Sequence, residues 1–393
     1  MSDILAYRPF IRATVTNFFF FSAVNGFVLL PLYIERLGGT PVEVGLIMGL
    51  YSAVGIVLQP LVGPWTDLFG RRPFMLLGVA MVLASSLLAA VVNAVGWLAL
   101  VRVMQGIGFS VFFVANFSHV LDLIPPERRG WALGIYGVSG FLSTALAPLF
   151  GEFVIRKYSF HYLFALTAVL ALVAGALVMG MRENERPPGA PVRGVEWARM
   201  GLREAFHRHM AVTLFFGLGT GTVFAFVPTF AESIGVTTLA LFYTAYAGAA
   251  MATRIFGGHL IDSLGRRAVI VPSMLAVCAA SGLLSLLGVF VDRHSTMPDV
   301  PVLFVAGLLS GTAHGFLYPG LAALATDRTP GSRRGFVIGV FSAIFLVGNA
   351  SGAFAFGWVA HGLGYWAMWA LLTALLLIGF GLSLRLAGYT ATS

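Results

Sequence analysis

The stretch Gly63-Pro-Trp-Thr-Asp67-Leu-Phe-Gly70-Arg71-Arg72 returns 195 residues later as Gly258-His-Leu-Ile-Asp262-Ser-Leu-Gly265-Arg266-Arg267. A second block, Asp122-Leu-Ile-Pro125-Pro-Glu-Arg128-Arg129-Gly130 followed by Gly134, returns 205 residues later as Asp327-Arg-Thr-Pro330-Gly-Ser-Arg333-Arg334-Gly335 followed by Gly339. Pro31 and Glu35 match Pro228 and Glu232 in the same way. The offset grows by ten residues between the blocks, and the longer loop around Asp292 to Pro301 absorbs the difference. Two halves therefore share one plan.

The repeated blocks sit between long apolar runs. Of the 393 residues, 58% are apolar and 10% are charged, against about 25% charged in an ordinary soluble domain, so too little charge is present to coat a soluble surface. Lipid offers the backbone no hydrogen-bond partners, so a chain of this composition crosses a bilayer as helices of about 20 apolar residues. Such runs lie at about 11–34, 42–66, 73–93, 97–123, 130–154, 160–181, 210–232, 238–261, 268–291, 301–326, 335–360 and 364–386. The expected fold is all-α and integral to the membrane: twelve transmembrane helices in two pseudo-symmetric six-helix bundles. The N-terminal bundle is 1–181, a cytoplasmic linker rich in proline and mixed charge is 182–209, and the C-terminal bundle is 210–393. No cleaved leader is expected, because the first apolar run is long enough to span.

The formal charge of +8 would suggest nucleic acid if it formed a patch, but the basic residues fall between apolar runs. Counted by alternate loops, eighteen lie on one side and four on the other, which places both termini in the cytoplasm under the positive-inside rule. Arg102 and Arg254 remain, each inside an apolar segment. The single cysteine, Cys278, excludes an internal disulfide and reads as a small core residue.

The signature Gly-x-x-x-Asp-x-x-Gly-Arg-Arg, present twice at matching places, resembles the loop motif of the major facilitator superfamily, and the resemblance covers the whole chain. It implies a secondary transporter working by alternating access, with Gly63, Asp67, Gly70, Arg71, Arg72 and their counterparts Gly258, Asp262, Gly265, Arg266, Arg267 forming a latch that steadies one state. The physics is independent of the name. Gly70 and Gly265 allow a tight turn, and an acid beside such a turn can bond to a facing helix start and to an arginine.

Arg102, Gln105, Phe109, Phe112, Asn116 and His119 are spaced 3, 4, 3, 4 and 3, so they share an arc of about 100° on one helix. Such a face should avoid lipid, and a charge at that depth calls for a partner or a wet cavity. Arg102-x-x-Gln105-Gly106 resembles a fourth-helix motif of proton-coupled exporters in the superfamily. These exporters often carry an acid in the first span and a Gly-Pro pair in the fifth; here Asn17 and Asn25 stand in the first, and the fifth lacks that pair.

His314, near mid-span with Tyr318 on its face, can take and release a proton near neutral pH. Arg254 stands where the first half has Gln59, and could pair with an anionic substrate group or a buried acid. Asn25, Thr222 and Asn349 fall near the middles of spans that line the central cavity in this superfamily. Glu152 is expected to be an interfacial charge or a proton site. Phe18 to Phe21 read as lipid contacts and packing.

No nucleophile with a base at usable spacing, no metal cluster and no phosphate-cradling loop is present in the sequence, so no enzyme activity, metal or cofactor is expected beyond a proton as coupling ion. The expected function is proton-coupled efflux of a small amphipathic compound or metabolite. The alternative is uptake or facilitated diffusion of a sugar, organic acid or similar metabolite. The protein is expected in the inner (plasma) membrane as a multi-pass monomer that binds no nucleic acid.

Overall fold

The computed structural model describes residues 7–124, 129–183, 207–236, 238–258, 260–292, 299–327 and 334–386; of Asp67 and Asp262 the backbone alone is described. Most of the 182–209 linker and part of the second repeat block, from Arg328 to Arg333, lie outside the described residues.

The described residues hold helices and no strand. They are α1 Arg8–Asn25, α2 Leu30–Arg36, α3 Pro41–Phe69, α4 Arg71–Val91, α5 Val95–Leu123, α6 Arg129–Lys157 and α7 Phe160–Met179. After the linker come α8 Arg208–Ser233, α9 Ala240–Phe256, α10 Leu260–Ser263, α11 Arg266–Asp292, α12 Asp299–Thr326 and α13 Arg334–Leu384. Among the described residues, ten helices are long and apolar enough to cross a membrane.

Local chemistry explains the interruptions. A single 3₁₀ turn, Gly26–Leu29, separates α1 from α2 just before Pro31, whose ring cannot donate to the helical ladder. The helix α3 opens on a capping box: Thr40 Oγ1 accepts from the Glu43 N–H at 3.3 Å, and Glu43 Oε2 accepts from the Thr40 N–H at 2.8 Å. It ends at Gly70, whose φ of 91° is open to glycine at little cost; its counterpart Gly265 has φ 87°. In α13, Gly364 has φ 82° and ψ 170°, so the element holds two helical segments meeting at that residue.

The two halves pack along two seams, α3 against α13 and α6 against α9. The first is a backbone contact. A Cβ on Gly45 would run into the Ala353 carbonyl and lie 3.1 Å from the Gly357 Cα. Close approach of this kind is how helices gain packing energy where lipid supplies no hydrophobic drive between them. Cys278 is buried in the second half, as expected of a small core residue.

Candidate functional site

The repeated loops build the same arrangement twice. Arg71 Nη1 donates to Thr66 Oγ1 at 2.7 Å, and its Nε lies 3.5 Å from Asp122 Oδ2. In the second half Arg266 Nη1 donates to the Ile261 carbonyl at 2.9 Å, and Nη2 lies 3.4 Å from Asp327 Oδ1. Arg72 and Arg267 each donate to the last turn of the closing helix of their own half, to Met179 O and Leu384 O, both at 2.7 Å. Asp122 and Asp327 were readable as repeated acids, but their pairing with the loop arginines was not. The signal available was the constancy of the two offsets. One element has no counterpart among the described residues: both carboxylate oxygens of Glu183 accept backbone N–H groups at the start of α4, from Arg71 at 2.7 Å and Arg72 at 2.8 Å. A carboxylate there satisfies two orphan donors and faces the positive end of the helix dipole.

In the first half the predicted stripe on α5 faces inward. Arg102, Gln105, Phe112, Asn116 and His119 are all buried. Arg102 Nη1 donates to Gln105 Oε1 at 2.9 Å, Nη2 reaches the Met48 carbonyl at 3.4 Å, and Cζ lies 4.6 Å from the Tyr51 ring centre. Asn116 is committed to a network within the bundle: it donates to Tyr136 Oη at 3.0 Å, while Tyr136 donates to Asn17 Oδ1 at 2.7 Å and Asn17 to Ser139 Oγ at 2.9 Å. Phe20 is buried and stacks on Phe112 with ring centres 3.7 Å apart, so this phenylalanine of the 18–21 run packs inside the bundle.

The second half gathers His314, Tyr318 and Arg254. The imidazole is ringed by Phe216 at 5.2 Å, Tyr246 at 5.7 Å, Phe141 at 5.8 Å and Phe345 at 6.4 Å, and it stacks on Tyr318 at 6.2 Å. Phe141 belongs to α6 of the other half. His314 Nδ1 has no hydrogen-bond partner among the described residues. Beside it lies a cavity of ≈ 20 Å³, room for about one water, bordered by Phe216, Thr220, Tyr246 and Ser310. The Arg254 Cζ lies 4.8 Å from the centre of the Phe141 ring, across the α6–α9 seam.

The three residues placed at mid-span as cavity candidates have protein partners. Asn25 donates to Ser143 Oγ at 2.8 Å and Thr144 Oγ1 at 3.1 Å. Thr222 is buried and donates to the Leu218 carbonyl at 2.8 Å. Asn349 Oδ1 accepts from Ser52 Oγ at 2.7 Å, a bond between the halves. Two further bonds join the halves at the helix ends opposite the twin-arginine loops. Glu152 Oε2 accepts the Ala240 N–H at 2.8 Å, and Glu35 Oε1 accepts from Tyr365 Oη at 3.0 Å. Ser52, Tyr365, Phe141 and Tyr246 were not singled out in the sequence, since each owes its place to a residue on a distant helix.

The sequence profile of the Major Facilitator Superfamily matches residues 13–293 and 210–391. The chain belongs to that family of transporters, and is thereby a multi-pass membrane protein that handles small solutes. It is similar to the multi-drug resistance efflux pump PmrA of Streptococcus pneumoniae, 25% identical over 86% of this chain and 86% of that protein. A shorter similarity, 32% identity over 114 residues, links it to multidrug resistance protein 3 of Bacillus subtilis and spans 29% of this chain and 22% of that one. The fold is shared with the crystal structure of the nucleoside transporter NupG, with a TM-score of 0.78 and 14% identity over 96% of this chain and 99% of that one. The family and these relatives are transporters, not enzymes.

Proposed function

We propose that this chain is a secondary transporter that exports a small amphipathic compound across the inner (plasma) membrane by alternating access, using a proton as coupling ion and no other cofactor. The carrying observation is the asymmetry of the seam. Glu152 with Ala240 and Glu35 with Tyr365 join the halves at one end of the helices. At the other end, the bonds of Arg71, Arg72, Arg266 and Arg267 described above go to partners in their own halves. A seam that, among the described residues, is pinned by these bonds at one end suits two bundles rocking about a central site.

The topology proposed is twelve spans with both termini cytoplasmic. Counting α13 on either side of Gly364 and adding the 17-residue α9 brings the ten apolar helices to twelve. Bundles 1–181 and 210–393 move as units joined by the 182–209 linker, and the working form is the monomer. The arginine bias makes the pinned end the outer one, so this arrangement faces the cytoplasm.

The relatives' names support export, and the aromatic lining around His314 supports an amphipathic solute. Uptake or facilitated diffusion of an organic acid is the second reading, favoured by Arg254. Everted membrane vesicles carrying the chain should accumulate an amphipathic dye when their interior is acidified. Entry that only equilibrates the dye and ignores the imposed gradient points to facilitation; no movement of the dye or of an organic acid in either condition overturns the transport reading.

A further inference from the structure

The two cations inside apolar helices are treated differently by the structure. Arg102 is buried and held by an amide oxygen, a carbonyl and the face of Tyr51, all in its own half. Arg254 is partly exposed, and among the described residues no carboxylate pairs with it; its Nε lacks a hydrogen-bond partner there, as that of Arg102 does, but no amide or carbonyl oxygen takes the rest of its guanidinium as Gln105 and Met48 take that of Arg102. What surrounds it is aromatic. Phe141 lies under the guanidinium, His314 packs on that same phenylalanine with Tyr246 and Tyr318 against the imidazole, and Nη1 lies close enough to α6 that a Cβ on Gly137 would be 3.3 Å away. A ring face compensates a charge held in an apolar helix only in part. The charge is also not part of the repeated plan, which has neutral Gln59 at the equivalent position.

We propose that Arg254 is the anchoring point for the carboxylate of a solute with a flat aromatic or apolar body, at the α6–α9 seam. A carboxylate matches the guanidinium fork with paired, charge-assisted hydrogen bonds. The rings of Phe141, Tyr246 and Tyr318 supply the surface for the body, and the unpartnered Nδ1 of His314 supplies a further polar contact. Because both halves contribute, with Phe141 and Gly137 from the first and the rest from the second, an anion held here bears on both bundles at once. The inference rests on the transport reading and gives it a substrate class.

The test uses purified full-length protein in detergent with 1-naphthoate and its neutral isostere 1-naphthamide. The wild type should be stabilised against thermal unfolding by naphthoate at concentrations about tenfold below those needed for the amide. Arg254→Gln should reduce that ratio to about twofold or less, and Arg254→Lys should keep part of it. Naphthoate should also slow phenylglyoxal modification of the wild-type peptide containing Arg254, read by mass spectrometry, so that the outcome does not depend on a variant folding. Equal half-saturation for the two compounds in the wild type, an undiminished ratio in Arg254→Gln, or unprotected Arg254 overturns the proposal. In proteoliposomes, movement of a neutral dye with no carboxylate preference leaves transport standing and removes the anion site. Naphthoate binding with no solute moved does the reverse.

Discussion

The carboxylate of Glu152, in α6 of the first half, accepts the backbone N–H of Ala240, the first residue of α9 in the second half, at 2.8 Å. Its other oxygen takes Nε and Nη2 of Arg156, at 3.0 and 2.7 Å, so the acid is fixed by its own helix while it holds the neighbouring one. Glu152→Gln should weaken this pin by about 1.5–3 kcal/mol, the usual worth of a hydrogen bond to a charged group. Spin labels at Phe153 and Leu241, both exposed, should report a larger share of separated outer ends. An unchanged distance distribution would show that the pin does not bias the two states.

The two loop ion pairs differ in burial, which predicts unequal worth. Side chains of Arg71 and Asp122 are 9% and 24% exposed, against 21% and 22% for Arg266 and Asp327. Screening by water is weaker in the first pair. Double-mutant cycles on thermal unfolding should give a coupling of about 1 kcal/mol or more for Arg71 with Asp122, and about 0.5 kcal/mol for Arg266 with Asp327. Equal couplings would mean that the repeat's symmetry, rather than burial, sets the energetics.

Two glycines of α3 separate packing from switching. A Cβ at Gly45 meets backbone atoms of α13 that no rotamer change can move, so Gly45→Val should cost about 1–3 kcal/mol of stability and transport should fall with it. A Cβ at Gly63 meets nothing within 4 Å among the described residues. Gly63→Ala should leave the melting temperature unchanged or slightly raised, as expected of a helical Gly→Ala change. If the loop is a latch that steadies one state, the same variant should nevertheless lose transport; retained transport would argue that the loop serves topology alone.

Asn17 shows what sequence could and could not supply. Its position inside an apolar run marks it as a residue that avoids lipid, yet its partners, Tyr136 and Ser139, are more than a hundred positions away and carry no periodic signal. The fold was legible because lipid imposes apolar helices of fixed length and because the repeat returns at two constant offsets. Even the Gly364 break falls at the first residue of the last separately readable run, 364–386. The site was legible residue by residue: Arg102, His314 and Arg254 stand out by type and depth. Which of them is satisfied within the protein depends on where Tyr51, Gln105 and Phe141 arrive in space, and no pattern along one helix encodes that. Asn349 likewise reads as a cavity amide, although its oxygen is bound to Ser52 across the seam.

Removing the Asn17 amide isolates this network. Asn17→Ala leaves Tyr136 Oη without its acceptor in a buried setting and takes the donor from Ser139. An unpaired buried polar group costs about 1–3 kcal/mol, and the melting temperature should fall accordingly. Asn17→Ala combined with Tyr136→Phe should recover part of the loss, because the orphaned hydroxyl goes with it. Additive losses would place the cost in the cavity instead.

His314 is the residue on which proton coupling can be decided. Its imidazole makes ring contacts on five sides, and its Nδ1 is unpartnered. A phenyl ring can take over the contacts but cannot carry a proton, so His314→Phe tests chemistry with the packing largely kept, whereas His314→Ala would also leave a cavity. If the imidazole carries the proton, His314→Phe should melt within a few degrees of the wild type, and everted vesicles carrying it should no longer respond to an imposed pH gradient. Counterflow of labelled solute needs no net proton movement and should persist. Loss of both activities would assign His314 to solute binding. Retention of full gradient dependence would move the proton to another group, for which Glu35, held by Tyr365 where the halves meet, has the required chemistry.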